Sequence, residues 1–173
     1  IGITGWSGAG KTTLMRQLIP HLVASGMSVS TVKHAHHRFD IDQEGKDSWY
    51  HRQAGASQVL IASEMRWALM DERRGRPEPP LSELITRMDP VDLILVEGYK
   101  HDPHPKIEVW RAENRKPPIF QTDDSVVALV TDAAPPGTTI PVLGLEDYAG
   151  IATHALACAI ELSAIGWRVR DRG

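Results

Sequence analysis

Residues Gly5 to Thr12 read G-W-S-G-A-G-K-T, which fits the pattern G-x-x-x-x-G-K-[ST]. The chemistry of that spacing is the wrapping of a phosphate chain. Its glycines allow backbone angles that turn successive N–H groups inward, and the helix that follows adds its positive end. Lys11 is placed to reach the β- and γ-phosphates, and the Thr12 hydroxyl to coordinate Mg2+. The whole run Gly5, Trp6, Ser7, Gly8, Ala9, Gly10, Lys11, Thr12 and Thr13 is therefore the expected nucleotide-binding set.

Three further groups bear on the same chemistry. The apolar run "VDLILVEG" delivers Glu97 to a strand's carboxyl end, where ligands of parallel sheets bind, so Glu97 is expected to help hold magnesium through a water. In "VTD", Asp132 ends another strand and could accept from the guanine N1 and N2 donors, although it could equally be a turn aspartate before "AAPPG". The stretch "VKHAHHRFDID" gathers His34, His36, His37, Asp40 and Asp42. Asp42 is the expected carboxylate near a γ-phosphate, orienting water or holding a magnesium-bound one, with Asp40 on the same face of an extended chain. The histidines admit phosphate contact, plain packing or metal ligation. On an extended stretch His34 and His36 face one side and His37 the other, which works against one shared metal. Lys33 and Lys100 add positive charge suited to a multiply anionic ligand.

Positioning these residues requires strands that end at the loops. "IGITG" is an apolar run ending in glycine; "KTTLMRQLIPHLVASG" repeats Leu14, Leu18 and Leu22 and stops at Gly26, with Pro20 predicted to kink it. "SVSTVKHA", "SQVLIAS", "VDLILVEG", "KIEVWRAE", "VVALVTD" and "IPVLGL" read as strands, "KIEVWRAE" as an alternating one. "KDSWYHRQAGA" and "LSELITRM" read as short helices, and "DYAGIATHALACAIEL" as a closing helix capped by Asp147. "SEMRWALMDE" is expected to pair with "QVLIA" as a hairpin turning at Ser63 and Glu64, and "RRGRPEPP" is an exposed loop. The fold class expected is α/β: a mainly parallel sheet flanked by helices, of the P-loop NTPase type, with an added β-hairpin. One nucleotide-binding domain is expected over 1–162, with 163–173 as a tail.

Composition narrows the classes. At 173 residues the chain can bury a core without disulfides or metal staples. A net charge of −3 argues against a nucleic-acid surface. Apolar runs fall short of the roughly 20 residues of a membrane span, and no charged-then-apolar leader is visible, so a cytoplasmic protein is expected. Ile1 already lies inside the first strand, so the natural start is expected to differ. The lone Cys158 reads as an ordinary buried thiol in a reduced compartment.

Taken together, "GWSGAGKTTL", "VKHAHHRFDID", "GKDSWYHRQAGA" and "LILVEGYK" resemble the molybdopterin-guanine dinucleotide biosynthesis adaptor family, MobB, from Ile1 to about Leu162. The resemblance implies a homodimeric P-loop protein that binds GTP, hydrolyses it weakly, and assists a separate MobA-like guanylyltransferase in attaching GMP to molybdopterin. It implies a nucleotide loop from Gly5 to Thr13, a switch-like loop from the histidines through Ser48, and Glu97, Gly98, Tyr99 and Lys100 across the site. Where the family often reads P-G-K-D-S, this chain has Glu44 in place of the proline. Two alternatives share the same loop: a metallochaperone GTPase using His34, His36 and His37, and a small-molecule kinase with the arginines of 73–76 as a lid. The hairpin, with Trp67 as an anchor, is the expected dimer contact.

Overall fold

The computed structural model describes residues 1–35 and 39–165. They divide into two compact units, one made of residues 1–34 with 81 onward, the other of 35–80.

The first unit is built on a six-stranded parallel sheet. In chain order its strands are β1 (Gly2–Thr4), β2 (Val29–Lys33), then, beyond the second unit's β3 (Gln58–Ala62) and β4 (Trp67–Asp71), β5 (Leu93–Glu97), β6 (Lys106–Val109), β7 (Val126–Val130) and β8 (Val142–Leu143). Their spatial order is β2-β5-β1-β6-β7-β8, so β1 lies inside the sheet with β5 on one side and β6 on the other. Helix α1 (Lys11–Ala24) buries Leu14, Met15, Leu18 and Leu22, the stripe that fourfold spacing brings to one face. It packs beside α4 (Tyr148–Cys158), whose Ile151, Ala152 and Ala155 join the same core with Ile3, Leu95, Ile107, Ala128 and Val130. The α1 helix runs through Pro20 and closes at Ser25, whose N–H donates to His21 and Leu22 carbonyls. Asp147 caps α4 by accepting from the Gly150 N–H at 2.9 Å.

Several expectations are corrected. Strand β6 is not half exposed: Lys106, Ile107, Glu108 and Val109 are all buried, the apolar pair in the core with α1 and α4 and the charged pair under the segments of Asp102 and of Ile119 and Phe120. Helix α4 ends at Cys158, since Ala159 turns extended, and a separate 3-10 turn covers Leu162–Ile165. Cys158 is half-buried, with its Sγ 3.4 Å from His154 Nε2. Of "IPVLGL" only Val142–Leu143 pairs as a strand.

The second unit holds α2 (Asp47–Gln53) and an antiparallel hairpin of β3 (Gln58–Ala62) and β4 (Trp67–Asp71). The hairpin is the one expected, with Ala62 opposite Trp67 and Ser63 N–H closing the turn onto Arg66 O. Met65 therefore sits in the turn and not in the strand. Back in the first unit, the short helix α3 (Leu81–Ile85) buries Leu81 and Ile85 against Val96.

Candidate functional site: a phosphate loop at the carboxyl end of the sheet

The loop leaves β1 at Gly5 and becomes helix at Lys11, with Gly10 at φ 102° as the last non-helical residue. The Lys11 ammonium folds back over the loop and donates to Gly5 O at 2.8 Å and Trp6 O at 3.0 Å. Partial burial lowers its pKa, Glu97 raises it, and Lys100 and Lys33 lower it further, so these four charges lie within electrostatic range of one another. Exchanging two carbonyls for phosphate oxygens would give this ammonium stronger, charge-assisted partners. Thr12 and Thr13 are exposed at the first turn of α1.

On the β5 side of the loop, parallel pairing sets Lys33 beside Glu97, and the Lys33 ammonium donates to both Glu97 oxygens at 3.0 and 3.1 Å. His34 N–H extends that ladder by donating to Glu97 O at 2.9 Å. Gly98 follows with its α-carbon against His34: an added Cβ would lie 2.7 Å from the His34 Cβ. The His34 ring meets Tyr99 at 4.9 Å between centroids. Lys100 stands 4.5 Å from the centre of the Trp6 ring, which ties the end of "EGYK" to the loop itself. A threonine hydroxyl and a carboxylate are hard oxygen donors of the kind magnesium takes.

On the β6 side, residues that the sequence did not single out carry the structure. The buried Glu108 carboxylate accepts from Ile119 and Phe120 N–H at 2.8 and 3.0 Å, while burial raises its pKa. Two indoles hold the same segment: Trp110 donates to Lys116 O at 2.8 Å and Trp6 to Pro117 O at 2.7 Å. The segment after β6 is thus fastened beside the loop, and Arg111 within it lies next to Gly10 and 3.6 Å from Asp132. A glutamate inside an apolar strand was the available signal for this clamp, since a carboxylate buried there requires donors.

The remaining candidates belong to the second unit. Asp42 accepts from the Ser48 hydroxyl at 2.7 Å and from Arg52 at 3.1 Å; those bonds, the serine's foremost, lower its pKa. Arg52 also holds Asp40 at 2.8 Å and Glu72 at 2.7 Å, which raises its own pKa. Arg74 donates to Arg52 O and Ala56 O, and Arg76 to Asp71 and Glu72 O, so these arginines of the proline-rich loop are engaged within their unit. His36 and His37 lie outside the described residues. Among the described residues no group of three or more His, Cys, Asp or Glu is arranged to hold a metal ion. Nor is any helix there long and apolar enough to cross a membrane.

The family model for molybdopterin guanine dinucleotide synthesis protein B matches residues 1–132. The chain belongs to the MobB family. It is 47% identical over 135 residues to a molybdopterin-guanine dinucleotide biosynthesis adapter protein of Haemophilus influenzae, covering 76% of this chain and 74% of that one. It is 42% identical over 155 residues to the Escherichia coli protein of the same description, covering 88% of each. Among solved structures, Bacillus subtilis MobB superposes with a TM-score of 0.70 at 21% identity, covering 92% of this chain and 96% of that one. A MobB homologue from Bacillus stearothermophilus gives 0.68 at 24%, covering 90% and 97%. The matched sequence spans the phosphate loop, Glu97 and Asp132, so both flanks of the site fall inside the family's own region.

Proposed function

We propose that this MobB-family chain is a GTP-responsive adaptor in the assembly of molybdopterin guanine dinucleotide, acting on a MobA-like guanylyltransferase and its molybdopterin substrate. The observation that carries the reading is the Lys11 ammonium held over the loop by Gly5 O and Trp6 O, in a chain whose relatives are named as adapters of this synthesis. GTP lies along Gly5 to Thr13, and Lys11 trades those carbonyls for the β- and γ-phosphates. Magnesium supplies charge neutralisation between the phosphates when bound; Thr12 and Glu97 are the residues that would hold it, Glu97 through a water. The Lys33 to Glu97 pair then has to loosen, so that nucleotide binding is felt at the end of β2, where the "VKHAHH" stretch begins. Such a linkage suits an adaptor better than a fast catalyst, because its output is a change of chain conformation and not turnover.

Homodimerisation is part of the same reading. One face of the hairpin carries Leu60, Leu69 and Trp67, 61%, 41% and 64% exposed, in cross-strand register. A second copy of the hairpin is the natural cover for such a face.

The test is capture of the guanylyltransferase on the immobilised protein, with and without GTP and magnesium, beside Lys11→Ala. Nucleotide-dependent capture that Lys11→Ala abolishes supports the adaptor. Equal capture in all arms, or GTP turnover above about 1 s⁻¹ by the protein alone, as in ordinary catalysts, refutes it.

A further inference from the structure

The two flanks of the phosphate loop are unequally equipped. The β5 side presents Glu97 paired with Lys33, the natural neighbours of terminal phosphates and magnesium. The β6 and β7 side ends in Arg111 and Asp132, and their meeting is a consequence of register. Val109 pairs with Val130, and Trp110 N–H donates to Val130 O at 3.0 Å, so the residues two beyond each paired valine emerge side by side. The Arg111 Nη1 stands 3.6 Å from Asp132 Oδ2 and 3.8 Å from Glu113 Oε1. On its other edge, Nε and Nη2 lie 3.7 and 3.9 Å from where a Cβ on Gly10 would be. Thr131, buried beneath, presents its hydroxyl 3.5 Å from the other Asp132 oxygen.

We propose that Arg111 is a specificity-determining positioning residue: it holds the Asp132 carboxylate at the nucleoside end of the loop and thereby sets preference for guanine over adenine. This rests on the reading of Gly5 to Thr13 as the nucleotide loop and of Asp132 as the acceptor of the guanine N1 and N2 protons. Arg111 is not itself a ligand of the phosphates, because two carboxylates already balance its charge. Its guanidinium instead spans from the start of α1 to Asp132, so the distance between phosphates and base is set by one planar group. The segment that carries it is rigid: Glu108, Trp110 and Trp6 anchor it at three points. The Asp132 side chain is 46% exposed, and Arg111 covers one of its oxygens only in part, so the carboxylate keeps acceptor capacity for a base. Without Arg111 the carboxylate rotates and solvates freely, which costs a guanine ligand its aimed partner and leaves adenine, which has no such donors, unaffected.

Calorimetry on the full chain with GTP, ATP and tripolyphosphate decides the matter, comparing the parent with Arg111→Ala, Arg111→Lys and Lys11→Ala, each checked for an unchanged melting transition. Loss of one charge-assisted aim should weaken GTP about 10-fold in Arg111→Ala while ATP and tripolyphosphate stay within about twofold. Arg111→Lys, which keeps charge without the planar fork, should recover part of the selectivity. Equal weakening of all three ligands would make Arg111 a phosphate contact or a structural residue and overturn the proposal, as would undiminished GTP selectivity. Retained tripolyphosphate binding in Lys11→Ala would instead overturn the phosphate-loop reading beneath it, which is a separate failure.

Discussion

Gly5→Ala tests whether the site is a backbone structure or merely a set of side chains. Gly5 has φ 140°, a region that residues with a Cβ avoid, and its new methyl would lie 2.3 Å from Val109 O. The carbonyl cannot step aside, because β6 is paired to β1 on one edge and to β7 on the other. Conformational strain of about 1–3 kcal/mol and overpacking of about 1–3 kcal/mol add, giving about 4 kcal/mol as the central expectation. Gly10→Ala is the control: its φ is 102°, but its nearest neighbour is the flexible Arg111 side chain at 3.7 Å, so it suffers the conformational part alone. Urea unfolding of the three proteins should place Gly10→Ala between the parent and Gly5→Ala, with the two alanines separated by about 1–3 kcal/mol and an unchanged slope. The same change displaces Gly5 O, one of two anchors of Lys11, so GTP affinity should fall with stability. If Gly5→Ala unfolds no earlier than Gly10→Ala, the packing of loop against β6 is not what holds the phosphate cradle.

Three further expectations are independent of nucleotide. His104 is buried with no hydrogen-bond partner for either ring nitrogen among the described residues, and burial first, then Lys106, lowers its pKa to about 4. The unfolded ring titrates near 6.5, so the unfolded chain binds more protons as pH falls from about 6.5 to 4, and stability drops across that window by up to about 3 kcal/mol. In a pH series of urea midpoints, His104→Leu should flatten the curve there; an identical slope in both proteins would exclude His104 as its source. Arg52→Ala should release Asp40, Asp42 and Glu72 together, seen as faster amide exchange in 40–53 with the main sheet still protected; unaltered exchange would deny the network a structural role. On the homodimer proposed above, the parent should sediment as a dimer in analytical ultracentrifugation and Trp67→Asp as a monomer; a monomeric parent would refute the dimer, and a dimeric variant would move the interface off the hairpin.

The parallel sheet was legible because each strand is a short apolar run feeding a turn, and because the phosphate motif fixes which ends of the strands carry chemistry. The hairpin was legible for the same reason, from two matched runs around Ser63 to Arg66. What escaped the sequence was burial of charge. Lys106 and Glu108 look like the polar half of an alternating strand, and alternation is the right expectation for a strand with one wet face. Both faces are dry because the layer of α1 and α4 covers Ile107 and Val109, while the segments around Asp102 and from Ile119 to Ser125 cover Lys106 and Glu108. Each charge is then rescued by groups outside the strand: Lys106 by Asp102 O, Ser125 and Asp123, and Glu108 by the amides of Ile119 and Phe120. The alternation along the strand does not say which groups those are.

The same limit divides the cluster of histidines and aspartates. The sequence left phosphate contact, packing and metal ligation open for this stretch, and the chain crosses from the first compact unit to the second immediately after His34. His34 is claimed by the sheet edge, through Glu97 O and Tyr99, while Asp40 and Asp42 are claimed by Arg52, twelve and ten residues on. Among the described residues His34, Asp40 and Asp42 are each engaged with other partners and form no group arranged to hold a metal ion, which needs rigid convergence of ligands. In the function proposed above, loosening Glu97 from Lys33 acts directly on β2, the strand that leads to His34.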